Sequence, residues 1–224
     1  MRIAVIMPAL NEASGLQQTL APLAQWPARG HELILVDGGS QDATTSIAAA
    51  AGVRVIHSER GRARQMNAGA GASEVDILLF LHADTQLPPQ ADQLILEGLR
   101  NEQRQWGRFD VRIRGRSHMF PVISSMINLR SRLSGIATGD QALFMTRAAY
   151  SAVGGFPDLP LMEDVEICKR LKRRSRPVCL RGRVVTSGRR WETRGVWRTI
   201  LLMWRLRFAY WCGTPAEQLA RLYR

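Results

Sequence analysis

Short apolar runs alternate with helix-like runs through the first hundred residues, and this alternation limits the possible folds more than any other feature. Four runs rich in β-branched residues read as strands, at residues 2–8, 32–39, 53–58 and 75–83. The segments between them place apolar residues at helical spacing. Continuous apolar strands joined by helices predict an α/β fold with a mostly parallel sheet that is covered on both faces.

Three acidic residues come at or after the ends of these predicted strands. Glu12 follows the first strand, Asp37 ends the second and Asp84 ends the fourth. Right-handed crossovers bring the carboxyl ends of parallel strands to one edge, where open α/β sheets bind ligands. Crowded carboxylates need a cation, and Mg²⁺ or Mn²⁺ takes one or two carboxylates together with substrate phosphates. We therefore expect a metal and phosphate site there, although an isolated Asp37 is also typical of a turn.

The second half of the chain is less regular. Residues 107–115 alternate between apolar and polar side chains, which predicts a strand with one face in solvent. Residues 141–146 read as an inner strand. Residues 163–174 read as a helix with acids in its first turn and cations in its last, which suits the helix dipole. The predicted solvent face of the alternating strand carries Arg108, Asp110, Arg112 and Arg114.

Composition limits the class of protein. The chain has 224 residues, enough for one well-buried domain, and its 46% hydrophobic and 22% charged content is that of a globular protein. The 3 cysteines have no CxxC spacing, which argues against a disulfide framework and a zinc site and favours a reducing, cytoplasmic setting. Asn11 and Glu12 come too early for a signal peptide, and no run of 18 apolar residues is present.

The positive charge is concentrated in the second half. Residues 1–110 hold 9 Lys and Arg against 12 Asp and Glu, whereas residues 111–224 hold 22 against 7. Such asymmetry indicates a polyanionic partner for the second half, which would be nucleic acid, an anionic membrane or a phosphorylated substrate. The alternative is a solvated basic face on an arginine-rich protein.

A series of motifs resembles family-two glycosyltransferases over residues 3–174. The motifs are VIMPALNE, ILVDGGSQDAT, GRARQMNAGAGAS, ILLFLHADT and the long run that starts at GDQALFM and ends at EDVEICKRL. The resemblance implies the GT-A fold, a nucleotide-binding α/β/α sandwich. LHADTQLP and RRWETRGVWRT are further similar to a bacterial subgroup of short members. We expect a GT-A domain at residues 1–190 and an amphipathic helical extension at residues 191–224.

The resemblance implies where the sugar nucleotide binds. The first loop surrounds the base and ribose, Asp37 hydrogen-bonds the base, which is normally uracil, and Gly39, Ser40 and Asp42 complete that turn. A basic Asn-Gly segment, which includes Gly69, lies near the donor. The residues matched to nucleotide binding are Pro8, Ala9, Asn11, Glu12, Asp37, Gly39, Arg64, Asn67, His82 and Ala83.

The metal-binding DxD element of the family is replaced here by His82-Ala83-Asp84. Asp84 matches the last acid, which coordinates the ion that bridges the donor diphosphate. His82 stands where the first acid would be. Imidazole accepts Mn²⁺ and other transition metals more readily than Mg²⁺, but His82 could equally contact ribose or phosphate.

Glu163 and Asp164 match the acidic pair of the family, in which the Asp is the catalytic base. One base opposite the leaving group implies direct displacement with inversion. The alternative is that both acids only stabilise the first turn of their helix. Asp140 and Gln141 match the loop that faces donor sugar and acceptor. Arg190 and Trp191 match part of the QxxRW element of processive synthases; because Ser187 replaces the Gln, transfer of one sugar is favoured over polymerisation.

A stripe of apolar residues near the C-terminus predicts a helix that lies at the surface of a membrane. Apolar residues recur at helical spacing and arginines border them, as expected of a helix that lies among lipid head groups. Contact with a membrane through residues 194–212 would suit a lipid-linked acceptor and a position in the cytoplasm at the inner face of the membrane. The alternative is packing on the chain's own domain or on a second subunit, as in a homodimer. The stripe comprises Trp197, Ile200, Leu201, Trp204, Phe208 and Trp211.

Two other functional classes compete with glycosyl transfer. A nucleotidyltransferase uses a similar sheet and metal, but the PALNEASG segment lacks the Gly-rich basic loop that usually follows its first strand. A basic nucleic-acid-binding module would use the charged second half but would leave the acids at the strand ends unexplained. We therefore favour a sugar nucleotide over nucleic acid as the partner.

Overall fold

The strands predicted in the first half of the chain lie side by side in one half of a single sheet. The computed structural model describes residues 1–101 and 103–223. In these ranges the strands are β1 (Ile3–Ala9), β2 (Glu32–Asp37), β3 (Arg54–His57), β4 (Ile77–Phe80), β5 (Thr85–Gln86), β6 (Trp106–Arg114), β7 (Leu143–Thr146) and β8 (Val178–Ser187). They are ordered β3-β2-β1-β4-β7-β6-β8-β5.

Parallel pairing dominates the first half of this sheet. Strands β3, β2, β1 and β4 are all parallel, β7 is antiparallel to both of its neighbours, and β6 and β8 are parallel to each other. The short strand β5 pairs antiparallel with β8 at the edge. The mostly parallel sheet is therefore confirmed.

Helices cover both faces of the sheet. They are α1 (Ala13–Leu20), α2 (Thr44–Ala50), α3 (Arg62–Gly71), α4 (Ala91–Gly98), α5 (Phe120–Ser134), α6 (Arg147–Ala152), α7 (Glu163–Lys172), α8 (Arg189–Arg194), α9 (Val196–Trp211) and α10 (Ala216–Tyr223). Alternate β1 side chains enter two separate cores, one shared with α1, α2 and α4 and the other with α3 and α7. This two-sided burial explains why the strands read as continuous apolar runs, and it confirms the α/β/α sandwich.

The prediction that the polar face of residues 107–115 lies in solvent is wrong for its first half. In β6, Arg108 is fully buried and Asp110 is 9% exposed. The Arg108 guanidinium pairs with Asp110, and Arg132 of α5 donates to the same carboxylate at 2.6 Å. Helix α5 packs along β6 and covers these charges, whereas Arg112 and Arg114 remain exposed.

Helix α5 and strand β8 have no counterpart among the sequence predictions. Helix α5 has apolar side chains on its exposed face as well as its buried one, which weakens the amphipathic signal. Strand β8 lies in the arginine-rich stretch that suggested only a basic surface. It is held by pairing along β6, with a register shift between Phe109 and Asp110, a tertiary contact that has no local sequence signal.

The C-terminal helices pack on the domain, but the predicted stripe does not. In α9, Thr199 and Leu206 are buried, and Leu206 joins a small core with Leu161 and Met162. Five of the six stripe residues are exposed and Ile200 is half-buried, so packing of the whole stripe on the chain's own domain is wrong. None of the helices in the described part of the chain has the length and hydrophobicity needed to cross a bilayer.

Candidate active site

Adjacent strand ends bring the predicted acids to one edge of the sheet. Strands β2, β1 and β4 are neighbours and run parallel, so the turns that follow them lie side by side. Asp37 is the last residue of β2, Glu12 follows β1 and Asp84 follows β4. The structure thus places Glu12, Asp37 and Asp84 at a common edge, as the sequence predicts.

Hydrogen bonds hold the turn after β1 against the turn after β2. The Asn11 N–H donates to Ser40 Oγ at 2.9 Å, and Asn11 Oδ1 accepts from the N–H of Gln41 at 2.8 Å. The Glu12 N–H donates to Thr44 Oγ1 at 2.8 Å. The two turns therefore form one connected wall, with the Asn11 backbone in the left-handed region at φ 55°.

Asp37 stabilises its own turn. Its carboxylate accepts from the N–H groups of Gly39 at 3.0 Å and Ser40 at 3.1 Å, and lies 3.4 Å from His57 Nδ1. Burial alone would raise the pKa of Asp37, but these hydrogen bonds lower it, so the side chain is ionised at neutral pH. Gly39 has φ 94°, which favours glycine. Asp42 also acts locally, because it accepts from Thr44 at the start of α2.

Gln65 joins the ends of β1 and β2. It is buried, and its Nε2 donates to the carbonyls of Ala9 and Val36, both at 2.8 Å. The predicted loop residue Ala9 is thus buried and contributes its backbone, and Pro8 beside it is half-buried. Gln65 positions the edge of the sheet that carries the turns after β1 and β2.

Glu12 faces Asp84 across the edge. The Glu12 carboxylate accepts from Arg189 at 3.3 Å, and Arg189 also donates to Ser14 at 3.3 Å. Burial and the nearby Asp84 raise the pKa of Glu12, and Arg189 and Arg62 oppose this. The two carboxylates are therefore electrostatically coupled, and arginines compensate part of their charge.

Asp84 has the surroundings of a single-carboxylate metal site. Among residues 1–101 and 103–223, no group of three or more His, Cys, Asp or Glu side chains is placed to hold an ion. The Asp84 carboxylate accepts from Thr85 Oγ1 at 3.3 Å. Mg²⁺ and Mn²⁺ accept one carboxylate when phosphate oxygens and water complete their coordination, so Asp84 fits either ion in the presence of a diphosphate.

His82 lies beside Asp84 with a neutral, unsatisfied ring. Its Nε2 is buried and has no hydrogen-bond partner among the described residues. Burial, together with nearby Arg62, lowers the pKa of His82 to about 3. A polar ligand atom would satisfy this nitrogen. Ala83, between them, is buried, and its carbonyl accepts from Thr19 Oγ1 at 2.8 Å.

Arg62 lines the cavity at this edge, whereas the predicted Arg64 points away. Arg62 Nη1 lies 3.6 Å from Glu163 Oε1. Arg64 instead pairs with Asp158 at 2.9 Å and with Glu59 on the outer surface. Burial by itself would lower the pKa of Arg62. Glu163 and the other carboxylates of the site outweigh this effect, so the pKa is raised overall. The side chain is therefore a permanent cation beside the carboxylates.

Asn67 and Gly69 serve the packing of α3. Asn67 Oδ1 accepts from Tyr150 Oη at 2.7 Å and from the N–H of Phe156 at 3.0 Å, which ties α3 to the segment after α6. A Cβ on Gly69 would lie 2.4 Å from a methyl of Ile6, so glycine allows α3 to approach β1 closely. The structure does not bring Asn67 to the cavity wall.

The acidic pair stands at the start of α7. Glu163 is 4% exposed, and burial and neighbouring Asp164 raise its pKa to about 7, while Arg62 opposes the rise. Asp164 is more accessible. Its Oδ2 accepts from the Gly139 N–H at 2.9 Å and its Oδ1 from the N–H of Val165 at 2.7 Å. Asp164 is therefore the better placed of the two to meet a substrate proton.

The turn at residues 139–141 closes one side of the cavity. A Cβ on Gly139 would lie 2.4 Å from His82 Nε2, so the turn packs directly on the imidazole. Asp140 faces the cavity and accepts from Thr138 Oγ1. Gln141 is fully buried, where it accepts from the Thr138 N–H at 3.3 Å and donates to a β6 carbonyl at 3.4 Å. Asp140 thus faces the site and Gln141 supports it.

Arg190 and Trp191 line the cavity from α8. The Arg190 guanidinium lies 3.7 Å from the centre of the Tyr223 ring, and it donates to the hydroxyl and the carbonyl of that residue. Trp191 packs against the apolar cluster of Ile113 and Ile123. Arg190 is thus held by Tyr223 of α10.

These residues enclose a cavity of about 510 Å³. Helices α5 and α9 form its outer wall. Two arginines there, Arg130 and Arg207, face each other, and burial together with Arg207 lowers the pKa of Arg130 to about 10. Arg130 Nε and Nη2 have no hydrogen-bond partner among the described residues. The inner wall includes Arg62, His82, Asp84, Asp140, Asp164 and Arg190.

Four site residues, Arg62, Gln65, Arg130 and Arg189, are absent from the sequence predictions. Arg62 and Gln65 lie in the same GRARQMN run as Arg64, but residues two apart on a helix differ by about 200° in direction. Only the start of α3 at Arg62 decides which arginine faces inwards. Arg130 lies on α5 and Arg189 begins α8 directly after β8, and the sequence has no usable signal for the placement of α5 or β8.

Comparison with solved structures supports the same fold. S. aureus TarS, residues 1–349, in complex with UDP has a TM-score of 0.69 and 19% identity over 84% of this chain and 60% of that one. A mannosyltransferase from Pyrobaculum calidifontis in complex with GDP-Man and Mn²⁺ has a TM-score of 0.64 and 20% identity, covering 92% and 60%. The chain therefore spans about three fifths of the length of these proteins.

Another solved structure and a family model extend the comparison. Glucosyl-3-phosphoglycerate synthase from Mycobacterium tuberculosis, in complex with Mn²⁺ and UDP-glucose, has a TM-score of 0.59 and 18% identity, covering 82% of this chain and 69% of that one. No curated protein sequence matched the chain. The model for glycosyl transferase family 2 matches residues 4–151. Because that match covers more than half of a chain with the matching fold, this protein belongs to glycosyl transferase family 2.

Proposed function

We propose that this protein is a hexosyltransferase that moves one sugar from a nucleoside diphosphate sugar to an acceptor, with inversion at the anomeric carbon. The observation that carries the proposal is the single cavity into which Asp84, Arg62 and Asp164 all project. This arrangement places a potential metal ligand, a permanent cation and a base around one space. The similar proteins in complex with UDP, GDP-Man and UDP-glucose support a sugar nucleotide as donor.

The turns after β1 and β2 would hold the nucleoside. The exposed Asn11 and the half-buried Glu12 form part of this wall, and the ionised Asp37 carries acceptor atoms suited to a base N–H. The assignment of Pro8, Ala9 and Gly39 to this loop is part of the proposal, and we expect uridine rather than guanosine. Arg62 would pair with the diphosphate oxygens, because an arginine fork matches phosphate geometry.

A divalent ion fits beside the diphosphate. Asp84 would hold it, and the Mn²⁺ in two of the similar structures supports a divalent ion here, either Mn²⁺ or Mg²⁺. When bound, such an ion stabilises negative charge on the leaving nucleoside diphosphate. The chain itself adds Arg62 near this charge, and the unsatisfied His82 Nε2 would meet a ribose or phosphate oxygen once the Gly139 turn that covers it moves.

Asp164 would act as the base. It stands at the start of α7, where the Gly139 N–H orients one of its oxygens. As the acceptor oxygen attacks the anomeric carbon, its proton passes to the Asp164 carboxylate, and the bond from that carbon to the diphosphate oxygen breaks. Glu163 would position Arg62 rather than take the proton, because it is buried and paired with that side chain.

The acceptor would enter from the side of α5, α8 and α9. The extension that we expect at residues 191–224 would supply part of this wall through Trp191 and α9, directly after Arg190. A lipid-linked acceptor, contact with the cytoplasmic face of a membrane through residues 194–212 and a homodimer are the partner assignments that remain to be tested. Each would involve the exposed stripe of α9.

Calorimetric titration with a panel of UDP- and GDP-sugars, with and without Mn²⁺ or Mg²⁺, tests the donor assignment. We expect metal-dependent binding of one sugar nucleotide, lost in Asp84→Asn and unchanged in Glu97→Gln, a control acid on the exposed side of α4. Slow donor hydrolysis without acceptor would separate a transferase from a binding module. Absence of binding to every nucleotide in the panel would refute the proposal.

A further inference from the structure

Two exposed apolar ridges flank the mouth of the cavity. The α5 ridge consists of Val122, Met126, Leu129 and Leu133, which are 49% to 79% exposed. The α9 ridge consists of Trp197, Leu201, Trp204, Phe208 and Trp211, which are 59% to 79% exposed. Each set repeats at helical spacing and therefore forms a continuous strip along its helix.

The cavity opens between these ridges. Met126 belongs to the α5 ridge and Trp204 to the α9 ridge, and both also line the cavity. A molecule that entered the site from this side would therefore pass between two apolar strips. Exposed apolar surface of this extent on a folded domain marks an interaction site rather than ordinary surface.

Cations border the ridges on their outer sides. Beyond α5, a groove of about 820 Å³ is lined by Arg112, Arg114, Arg116 and Arg183, and no acidic residue is found among the described residues that line it. Beyond the α9 ridge, Arg198 and Arg205 are exposed. The surface therefore reads in order as cations, apolar ridge, cavity mouth, apolar ridge and cations.

This order suits docking on an anionic bilayer, because the apolar ridges would enter between the lipid head groups while the flanking cations stay level with the lipid phosphates. Tryptophan and phenylalanine favour the boundary between head groups and acyl chains, and flanking arginines reach the lipid phosphates. A second copy of the chain seated on the same surface would instead bring the arginine-rich flanks of two copies together. Few carboxylates are available there to pair them, so charge favours the bilayer over the dimer.

The cavity wall also supplies cations for an acidic head group. Arg130 and Arg207 lie where α5 and α9 face each other, and two guanidinium nitrogens of Arg130 are buried without a partner in the described chain. A phosphate or carboxylate that entered between the ridges would satisfy these donors. A neutral head group would leave the positive charge uncompensated.

We propose that the α5 and α9 ridges dock the protein on an anionic membrane, and that the cavity between them takes the acidic head group of a membrane amphiphile, a hydroxyl of which accepts the sugar and passes its proton to Asp164. The docking part stands on the surface alone. The acceptor part rests on the proposed glycosyl transfer, because it assigns the amphiphile to the same cavity as Asp164.

Vesicle flotation of the full chain without sugar nucleotide tests the docking. We expect binding to vesicles of equal parts phosphatidylcholine and phosphatidylglycerol, weaker binding as salt is raised, and little binding to phosphatidylcholine alone. Trp197→Glu with Phe208→Glu, and separately Leu129→Glu with Leu133→Glu, should each lower the bound fraction by at least about tenfold. The control Ala49→Glu with Ala50→Glu adds the same charge on α2 and should bind as the wild type.

Three results would overturn the docking: no binding to either vesicle, wild-type binding by both ridge variants, or a wild-type dimer that the ridge variants convert to monomer. Circular dichroism melting verifies that each variant folds, and Gln in place of Glu at the same positions serves where an acidic variant does not. Nucleotide binding is measured separately in solution. A protein that binds nucleotide but no vesicle therefore refutes the docking and leaves the donor assignment standing.

Octyl phosphate and octyl glucoside, titrated below their micellar concentrations, test the head-group site. The acidic amphiphile should bind at least about tenfold more tightly than the neutral one, because a charge-assisted hydrogen bond supplies the difference. Arg130→Gln should remove this preference, whereas Arg112→Gln, in the outer groove, should keep it. Equal binding of both amphiphiles to the wild type would refute the head-group assignment.

Discussion

Arg62 Nη1 lies 3.6 Å from Glu163 Oε1, and this pair joins the start of α3 to the start of α7 across the cavity. The contact places a permanent cation next to Asp164 and Asp84, which Arg64, two residues later, does not approach. The site therefore depends on the rotation of α3 about its axis, which turns Arg62 and not Arg64 towards the cavity.

Replacing Arg62 and Arg64 one at a time should show that only Arg62 contributes to donor binding. Arg62→Ala should weaken binding of the sugar nucleotide by about 10- to 100-fold, because it removes a charged donor from the diphosphate. Arg64→Ala removes only exposed ion pairs with Asp158 and Glu59, and should change binding less than about threefold. Isothermal titration with the preferred donor measures both. Equal losses in the two variants would contradict the assignment of Arg62.

The raised pKa of Glu163 predicts a pH-dependent difference in stability. The folded carboxyl, with a pKa of about 7, binds a proton more tightly than the unfolded one, at 4.5. Wild type should therefore lose stability relative to Glu163→Gln as pH rises from about 4.5 to about 7, by on the order of 1–3 kcal/mol. Urea unfolding at pH 5 and pH 8 measures the free energy of unfolding of both proteins. Parallel pH profiles would show that Glu163 is not the titrating group.

Asp164→Asn should lower kcat by about 10² to 10⁴-fold with little change in donor affinity, because the amide keeps the shape of the side chain but cannot take a proton. Asp158→Asn, at the outer surface, should leave kcat unchanged. Release of the nucleoside diphosphate in the presence of acceptor measures both rates. If Glu163→Gln lost as much activity while donor binding stayed intact, the base would have to be reassigned.

Gly139→Ala should disturb the site through His82. The added methyl group would lie 2.4 Å from His82 Nε2, so either the imidazole or the turn at residues 139–141 must move. We expect a loss of about 1–3 kcal/mol in the free energy of unfolding and weaker donor binding. Gly71→Ala meets no atom within 4 Å and should be neutral or slightly stabilising. Thermal unfolding with and without nucleotide compares the two; a normal melting temperature for Gly139→Ala would contradict this packing.

The buried charges of β6 predict that two arginines on the same face of the strand contribute very differently to the free energy of unfolding. Arg108→Ala removes a fully buried side chain and leaves Asp110 with Arg132 alone, at a cost of about 3–5 kcal/mol. Arg112→Ala, exposed four residues later, should cost less than about 0.5 kcal/mol. Urea unfolding of the two variants is the measurement. Similar stabilities would mean that α5 does not cover the start of β6.

The sequence alone predicted much of the core and the edge of the sheet at which the acidic residues of the site meet. The strands β1, β2 and β4 are buried on both faces, so their apolar runs are continuous, and parallel pairing brings Glu12, Asp37 and Asp84 to one edge. The departures have identifiable causes. Arg108 and Asp110 read as solvent-facing because burial by α5 depends on a helix whose own pattern is ambiguous.

The sequence by itself determined the α/β/α class, the family and the strand ends that carry the acids, because these depend on local patterns of apolar residues, turns and charges. The tertiary structure alone decided that Arg62 faces the cavity while Arg64 does not, that Asn67 and Gln141 support packing, and that two apolar ridges border the cavity mouth. Those outcomes depend on the rotation of each helix and on contacts between segments that are distant in the sequence. The free energy of such contacts cannot be deduced from the residues of any one segment.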